Sequence, residues 1–263
     1  MPRIIALANQ KGGVGKTTTA INLATALSTE HRVLLIDLDP QGNCSTGLGL
    51  ARTERGLGSY AMLIENRPPA AVFRPTAVPN LYLIPADTDL AGAEVELVGM
   101  QDRERRLRKA LLSGPEMLRR FDYVFLDCPP SLGLLTVNAL VAAHSVLVPL
   151  QCEFYALEGV SQITQTIERV RHALNPGLTL EGIVLTMYDR RNNLSEAVAS
   201  DVRGYFKDKV FETMIPRNIR VSEAPSHGLP VTLYDFRSPG AQAYVKLAAE
   251  LRRREKARAR TVA

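Results

Sequence analysis

The sequence predicts an α/β fold, a doubly wound and mostly parallel sheet flanked by helices, and three observations predict it. Short, continuous apolar runs recur along the chain, and strands that are apolar on both faces suit a parallel sheet covered by helices on each side. Between them lie segments such as Val160, Ile163, Ile167, Val170 and Leu174, whose spacing of three and four is that of an amphipathic helix. Glycine-, proline- and acid-rich turns follow several of the apolar runs. In open parallel sheets, ligands bind at the carboxyl ends of strands.

Taken in order, strands are expected at 3–8, 33–37, 81–85, 123–127, 145–149 and 180–186. The first holds Ile4-Ile5-Ala6-Leu7-Ala8 and is followed by a glycine-rich run. After that run, Ala20, Ile21, Leu23, Ala24 and Leu27 form a helical stripe. The second strand ends on Asp37-Leu38-Asp39-Pro40, and the fourth on Asp127-Cys128-Pro129-Pro130. Pro68, Pro69, Pro75 and Pro79 mark 67–80 as a surface connection. Near the end, Tyr244, Leu247, Ala248 and Leu251 form a last stripe that should pack on the body. The chain reads as a single domain over 1–251 with a basic tail at 252–263.

Composition narrows the function. At 263 residues and 46 % hydrophobic, the chain is long enough to bury one large core. The net charge of +5 is local: 252–263 holds six basic residues, Arg260 among them, against Glu255 alone, which accounts for all of it. Such a run suits a solvated helix end, where cations complement the macrodipole, as well as it suits a polyanion-binding tail. No run of 18 apolar residues suggests a membrane span, and the first strand begins at once, which argues against a leader peptide. Three cysteines, Cys44, Cys128 and Cys152, show no C-x-x-C spacing, so neither a disulfide framework nor a zinc ribbon is expected. A reducing, cytoplasmic setting follows.

The chemistry concentrates in Lys11-Gly12-Gly13-Val14-Gly15-Lys16-Thr17-Thr18. Strand, glycine-rich turn and helix together form the setting in which Gly-Lys-Thr cradles a polyphosphate. Glycines let backbone N–H groups converge, and the helix N-terminus adds partial positive charge. A nucleoside triphosphate is the expected ligand. The acid at the end of an apolar strand, Asp127, completes the pattern by supporting Mg²⁺ directly or through water. Mg²⁺ keeps several waters, so the Thr17 hydroxyl and one distant carboxylate suffice. Residue chemistry alone does not rank Asp39 above Asp37.

The usual loop asks for glycine where Gln10 stands, and Lys11 is an additional lysine. This form resembles the deviant Walker A loop of the ParA/MinD group of P-loop ATPases. Asp37-Leu38-Asp39-Pro40-Gln41-Gly42-Asn43 resembles that family's switch I, and Asp127-Cys128-Pro129-Pro130-Ser131 its switch II. The segment from Gln151 to Gly159 resembles a dimer-facing segment. The run from Ile215 through Pro216-Arg217-Asn218 to Pro225 resembles a hallmark of the chromosomal ParA/Soj proteins.

The resemblance covers nearly the whole chain and implies a deviant Walker A P-loop NTPase fold with ATP and Mg²⁺ as cofactors. It implies that Lys16 neutralises the β- and γ-phosphates, Thr17 ligates Mg²⁺, Thr18 adds a phosphate hydrogen bond and Asp127 holds the metal's outer shell. By the same resemblance Asp39 would position the attacking water, and Lys11 would reach across a homodimer to the partner's phosphates. Pro216 and Asn218 would lie beside the base. Arg191 and Arg220 would contact DNA phosphates without reading sequence, whereas Arg190 reads better as a solvated charge. The implied partners are non-specific duplex DNA and a ParB-type centromere-binding protein that stimulates hydrolysis, with a nucleoid-associated location and no membrane.

Two rivals share the loop. A MinD-like membrane ATPase would need an amphipathic C-terminal helix, yet beyond Leu251 no leucine, isoleucine or aromatic residue follows. An iron–sulphur electron carrier related to the nitrogenase iron protein would use cysteines. Cys44 and Cys128 lie next to the switches, but in ParA-type contexts.

Overall fold

The computed structural model describes residues 1–262, with side chains through residue 259. Seven strands are β1 (Arg3–Leu7), β2 (Val33–Asp37), β3 (Arg74–Pro75), β4 (Leu81–Ile84), β5 (Tyr123–Asp127), β6 (Ser145–Gln151) and β7 (Thr179–Thr186). They form one sheet in the order β3-β4-β2-β5-β1-β6-β7. Only β3 is antiparallel to its neighbour. This is the doubly wound architecture expected, with strand order reversing around β1, where an open sheet presents its ligand crevice.

Alternate residues of the central strands feed two cores. Ile4, Ala6, Leu34, Ile36, Val124 and Leu126 face one, against the helices Leu90–Val98, Leu134–Ala142 and Ala156–Ala173. Ile5, Leu7, Val33, Leu35 and Phe125 face the other, against the helices Lys16–Leu27 and Pro239–Val262. Because both faces are buried, the strands carry no polar alternation, and six of the seven stand out in the sequence. The seventh, β3, is two residues long and lies inside the proline-rich 67–80 tract, at a sheet edge that tolerates proline.

The last helix is a structural element of the body. Tyr244, Leu247 and Leu251 are buried along helix Lys16–Leu27, so the apolar stripe packs inward. The helix continues past residue 251 without a break, and four of its arginines are paired. Arg252 meets Glu30 at 2.6 Å, Arg253 meets Glu212 at 3.0 Å, and Arg254 meets Glu250 at 2.9 Å while lying over the Phe211 ring. Arg258 reaches Glu181 at 2.6 Å. Glu181 is fully buried because the β6–β7 register slips by one residue there, turning an extra carboxylate inward. Arg3, Arg258 and Ser145 satisfy it and, against its burial, hold its pKa down. Arg260's side chain and Ala263 lie outside the described residues.

Candidate active site

The loop after β1 turns through Gly13 at φ 75° and Gly15 at φ 88°, the left-handed region that glycine enters without steric cost. Neighbouring strands hold it in place. Asn9 donates to the Pro149 carbonyl at 2.8 Å and accepts from the Lys11 N–H at 3.0 Å. The Thr186 hydroxyl donates to the Val14 carbonyl at 2.8 Å. Beneath the loop, helix Lys16–Leu27 begins with N–H groups that have no acceptor within the helix. A cavity of about 420 Å³ opens over them, in the size range of small-ligand sites.

Gly12, Gly13, Gly15, Lys16, Thr17 and Thr18 form the floor of this cavity. Val14 is buried behind it and Lys11 lies outside. The two loop lysines are therefore differently placed. Lys16 is buried and donates to the Lys11 carbonyl at 2.8 Å. Burial lowers its pKa, and Asp127 pushes back. The Lys11 side chain, 47 % exposed, runs the other way to an ion pair with Glu153.

Geometry separates the two switch I acids, which residue chemistry alone left unranked. Asp37 is fully buried and saturated, accepting from the Ser45 N–H at 2.9 Å, the Ser45 hydroxyl at 2.7 Å and the Asp39 N–H at 3.2 Å. Burial raises its pKa to about 6 against those hydrogen bonds. Asp39 lines the cavity, with one oxygen accepting from the Gln41 N–H at 3.0 Å. The structural tie is thus Asp37, and the group presented to a ligand is Asp39.

Asp127 is fully buried at the end of β5, and among the described residues neither carboxylate oxygen has a hydrogen-bond partner. Burial drives its pKa well up, Asp37 adds to this, and Thr17 and Lys16 oppose it. A buried carboxylate left unsatisfied beside a hydroxyl is costly alone. It suits a hard, hydrated cation held by Thr17 with Asp127 behind its waters.

The far wall of the cavity comes from Met187, Ala224, Pro225 and Leu229. Pro216 and Asn218 do not line it. Pro216 bridges to Tyr188, and Asn218 precedes the helix Ile219–Glu223. Sequence reasoning did not single out Met187 or Leu229, and no local pattern marks them. Gln41 and Asn43 also line the cavity; the switch I motif that contains them was the available signal.

A family model described as an AAA domain matches residues 2–180. The Chromosome partitioning protein ParA of Caulobacter vibrioides strain NA1000 is 59 % identical over 261 residues, covering 97 % of this chain and 96 % of that protein. The chain belongs to the ParA/Soj family of chromosome-partitioning ATPases. The Chromosome-partitioning ATPase Soj of Treponema pallidum is 52 % identical over 252 residues, covering 95 % of this chain and 97 % of the relative. Among solved structures, cobyrinic acid a,c-diamide synthase from Mycobacterium smegmatis, with bound ATP analog and magnesium, superposes with a TM-score of 0.84. It is 40 % identical and covers 97 % of this chain and 96 % of that one. As a family member the chain is a P-loop ATPase.

A bridge pairs Tyr188 with Pro216, shortly before Arg191 and Arg220 in the chain. Arg191, 89 % exposed, makes a two-pronged contact to Asp189 at 3.0 and 3.1 Å. Hydrogen bonds from Arg191, with Arg217 nearby, pull the Asp189 pKa down to about 2. Arg220 meets Glu223 at 2.9 Å and Asp235 at 3.5 Å. Cys44 and Cys128 are fully buried, and burial raises both thiols. They are suited to packing rather than to thiolate ligation. Among the described residues, no helix is long and apolar enough to cross a membrane.

Proposed function

We propose that the chain binds ATP and Mg²⁺, joins a second copy of itself through the nucleotide, and in that state grips duplex DNA without reading sequence. One observation carries the reading: a single loop keeps one lysine inside the cavity and sends the other out of it. Lys16 is placed for phosphates bound to its own subunit. Lys11, held outside by an exposed ion pair worth little in water, is free to exchange Glu153 for phosphates on a facing subunit.

In this scheme the loop N–H groups and Lys16 bind the polyphosphate, and Thr18 adds a hydrogen bond. Thr17 and Asp127 would hold Mg²⁺, which when bound neutralises charge building on the phosphate oxygens. Asp39 orients water toward the terminal phosphorus. Lys11 from the partner stabilises the developing charge in the manner of an arginine finger. Pro216 and Asn218, which do not line the cavity themselves, would lie beside the base once nucleotide is bound.

Dimerisation would align two copies of the Arg191–Arg220 edge. Arginine suits phosphate because its planar fork bonds in two places, and phosphate would take over from the acids that now pair with each guanidinium. Hydrolysis dissolves the dimer and with it the DNA grip, so DNA affinity reports nucleotide state. A ParB-type partner that accelerates hydrolysis would act on this clock, in the cytoplasm at the nucleoid.

The test measures sedimentation and duplex-DNA retention with ATP, ADP and no nucleotide, with and without anionic liposomes. A dimer retained on DNA only with ATP is expected. A protomer mass under saturating ATP and magnesium with hydrolysis blocked, or liposome binding in place of DNA, would overturn the reading.

A further inference from the structure

Arg55 stands in a segment without any motif, between the short helices Asn43–Gly47 and Ser59–Leu63, yet only 4 % of it is exposed. Among the described residues its guanidinium has no carboxylate in ion-pair contact. It donates instead to the Gly42 carbonyl at 2.9 Å, the Thr46 hydroxyl at 2.8 Å and the Ala86 carbonyl at 3.3 Å, while its Nε has no partner. Burying a charge on neutral acceptors alone is expensive. Something must offset that cost. Arg55 and the acids at the strand ends bear on one shared neighbour: burial raises the Cys44 thiol, Asp37, Asp127 and Asp39 push it further, and Arg55 lowers it.

Two of the acceptors, Gly42 and Thr46, lie at the back of the Asp39 turn. Gly42 closes that turn by donating its N–H to the Asp39 carbonyl at 2.8 Å. Thr46 and Gly47 belong to the next helix and line the cavity. The Ala86 contact anchors the group to the chain just beyond β4. Gly42 has φ 63°, and a Cβ built there would lie 1.8 Å from Arg55 Nη1. The guanidinium therefore occupies the space any side chain at 42 would need.

We propose that Arg55 is a positioning residue for ATP hydrolysis: by gripping Gly42 and Thr46 from behind, it holds the turn that aims Asp39 into the cavity. It touches neither nucleotide nor water itself. This rests on the assignment of Asp39 to water positioning. Arg55 makes no hydrogen bond to the phosphate-binding loop among the described residues, so its loss should fall on turnover and spare nucleotide affinity.

The experiment compares steady-state ATP hydrolysis by the full chain with Arg55→Met and Arg55→Lys, each checked for folding by circular dichroism. Arg55→Met should lower kcat about tenfold to a hundredfold, as small misplacements of reacting groups do, with KM changed by less than about threefold. Arg55→Lys should recover part of the loss, since an ammonium can reach the same oxygens but lacks the fork. If Arg55→Met does not fold, Gly42→Ala displaces the guanidinium with Arg55 retained and should show the same selective fall in kcat. A kcat within about twofold of the unsubstituted chain, or a loss confined to KM, overturns the role of Arg55. If Asp39→Ala hydrolyses ATP normally while Arg55→Met is impaired, the assignment of Asp39 falls instead, and with it the route proposed for Arg55.

Discussion

Asp37 and Asp127 stand opposite each other in register on the adjacent parallel strands β2 and β5, both fully buried. Their difference lies in satisfaction. Asp37 accepts three hydrogen bonds from Asp39 and Ser45, whereas among the described residues Asp127 accepts none. One acid is tied into the backbone that follows it and the other is left unpaired.

That relationship makes Asp127→Asn informative about stability. Burial places the carboxyl's folded pKa well above its ordinary value, so protonation favours the fold. The stability this group contributes is full below about pH 4 and is lost as pH rises through the folded value. Without nucleotide, Asp127→Asn should be the more stable chain at pH 7 to 8, by about 1–3 kcal/mol. Its advantage should shrink toward pH 4. Denaturant titrations of both chains across this range check it; parallel pH profiles would mean that Asp127 is satisfied in the free protein.

Lys16→Ala removes the ammonium that faces the cavity floor. A charge-assisted hydrogen bond of about 1.5–3 kcal/mol corresponds to about a tenfold to hundredfold loss of ATP affinity, with nucleotide-dependent dimerisation abolished. Calorimetry with ATP and magnesium measures this, and unchanged affinity would contradict the assigned role.

Asp39→Ala should bind ATP, dimerise and stay on DNA while hydrolysing slowly. The loss of a positioned acid–base group is worth about a hundredfold or more in rate. Phosphate release is the readout; turnover near that of the unsubstituted chain would give the water to another group.

Arg220→Ala should keep the ATP-bound dimer and lose DNA. Each phosphate contact removed should lower the slope of log affinity against log salt by about one. An unchanged gel shift at moderate salt would mean that Arg220 serves only Glu223 and Asp235, its partners in the free protein.

Much of the fold is legible because parallel strands buried on both faces read as unbroken apolar runs, and β1, β2 and β5 end in residues with evident chemistry. The loop, Asp39 and Asp127 are legible for the same reason, as each lies within a few residues of a strand end. β3 escaped because two residues carry no period. Met187 and Leu229 escaped because they reach the cavity only when β7 and the segment after Glu223 fold over helix Lys16–Leu27. Arg55 escaped because its partners lie 13, 9 and 31 residues away and nothing near it in sequence marks the contact.

By itself, the sequence determined the order of elements, the phosphate loop and the acids that serve it, since local patterns of hydrophobicity and turn chemistry act over a few residues. The tertiary structure alone decided which acid is tied down and which faces the ligand, where the two lysines point, and that the basic C-terminal helix is bound to the body by Glu30, Glu212 and Glu181. Burial and hydrogen-bond satisfaction depend on groups far apart in the chain, and only folding brings them within reach.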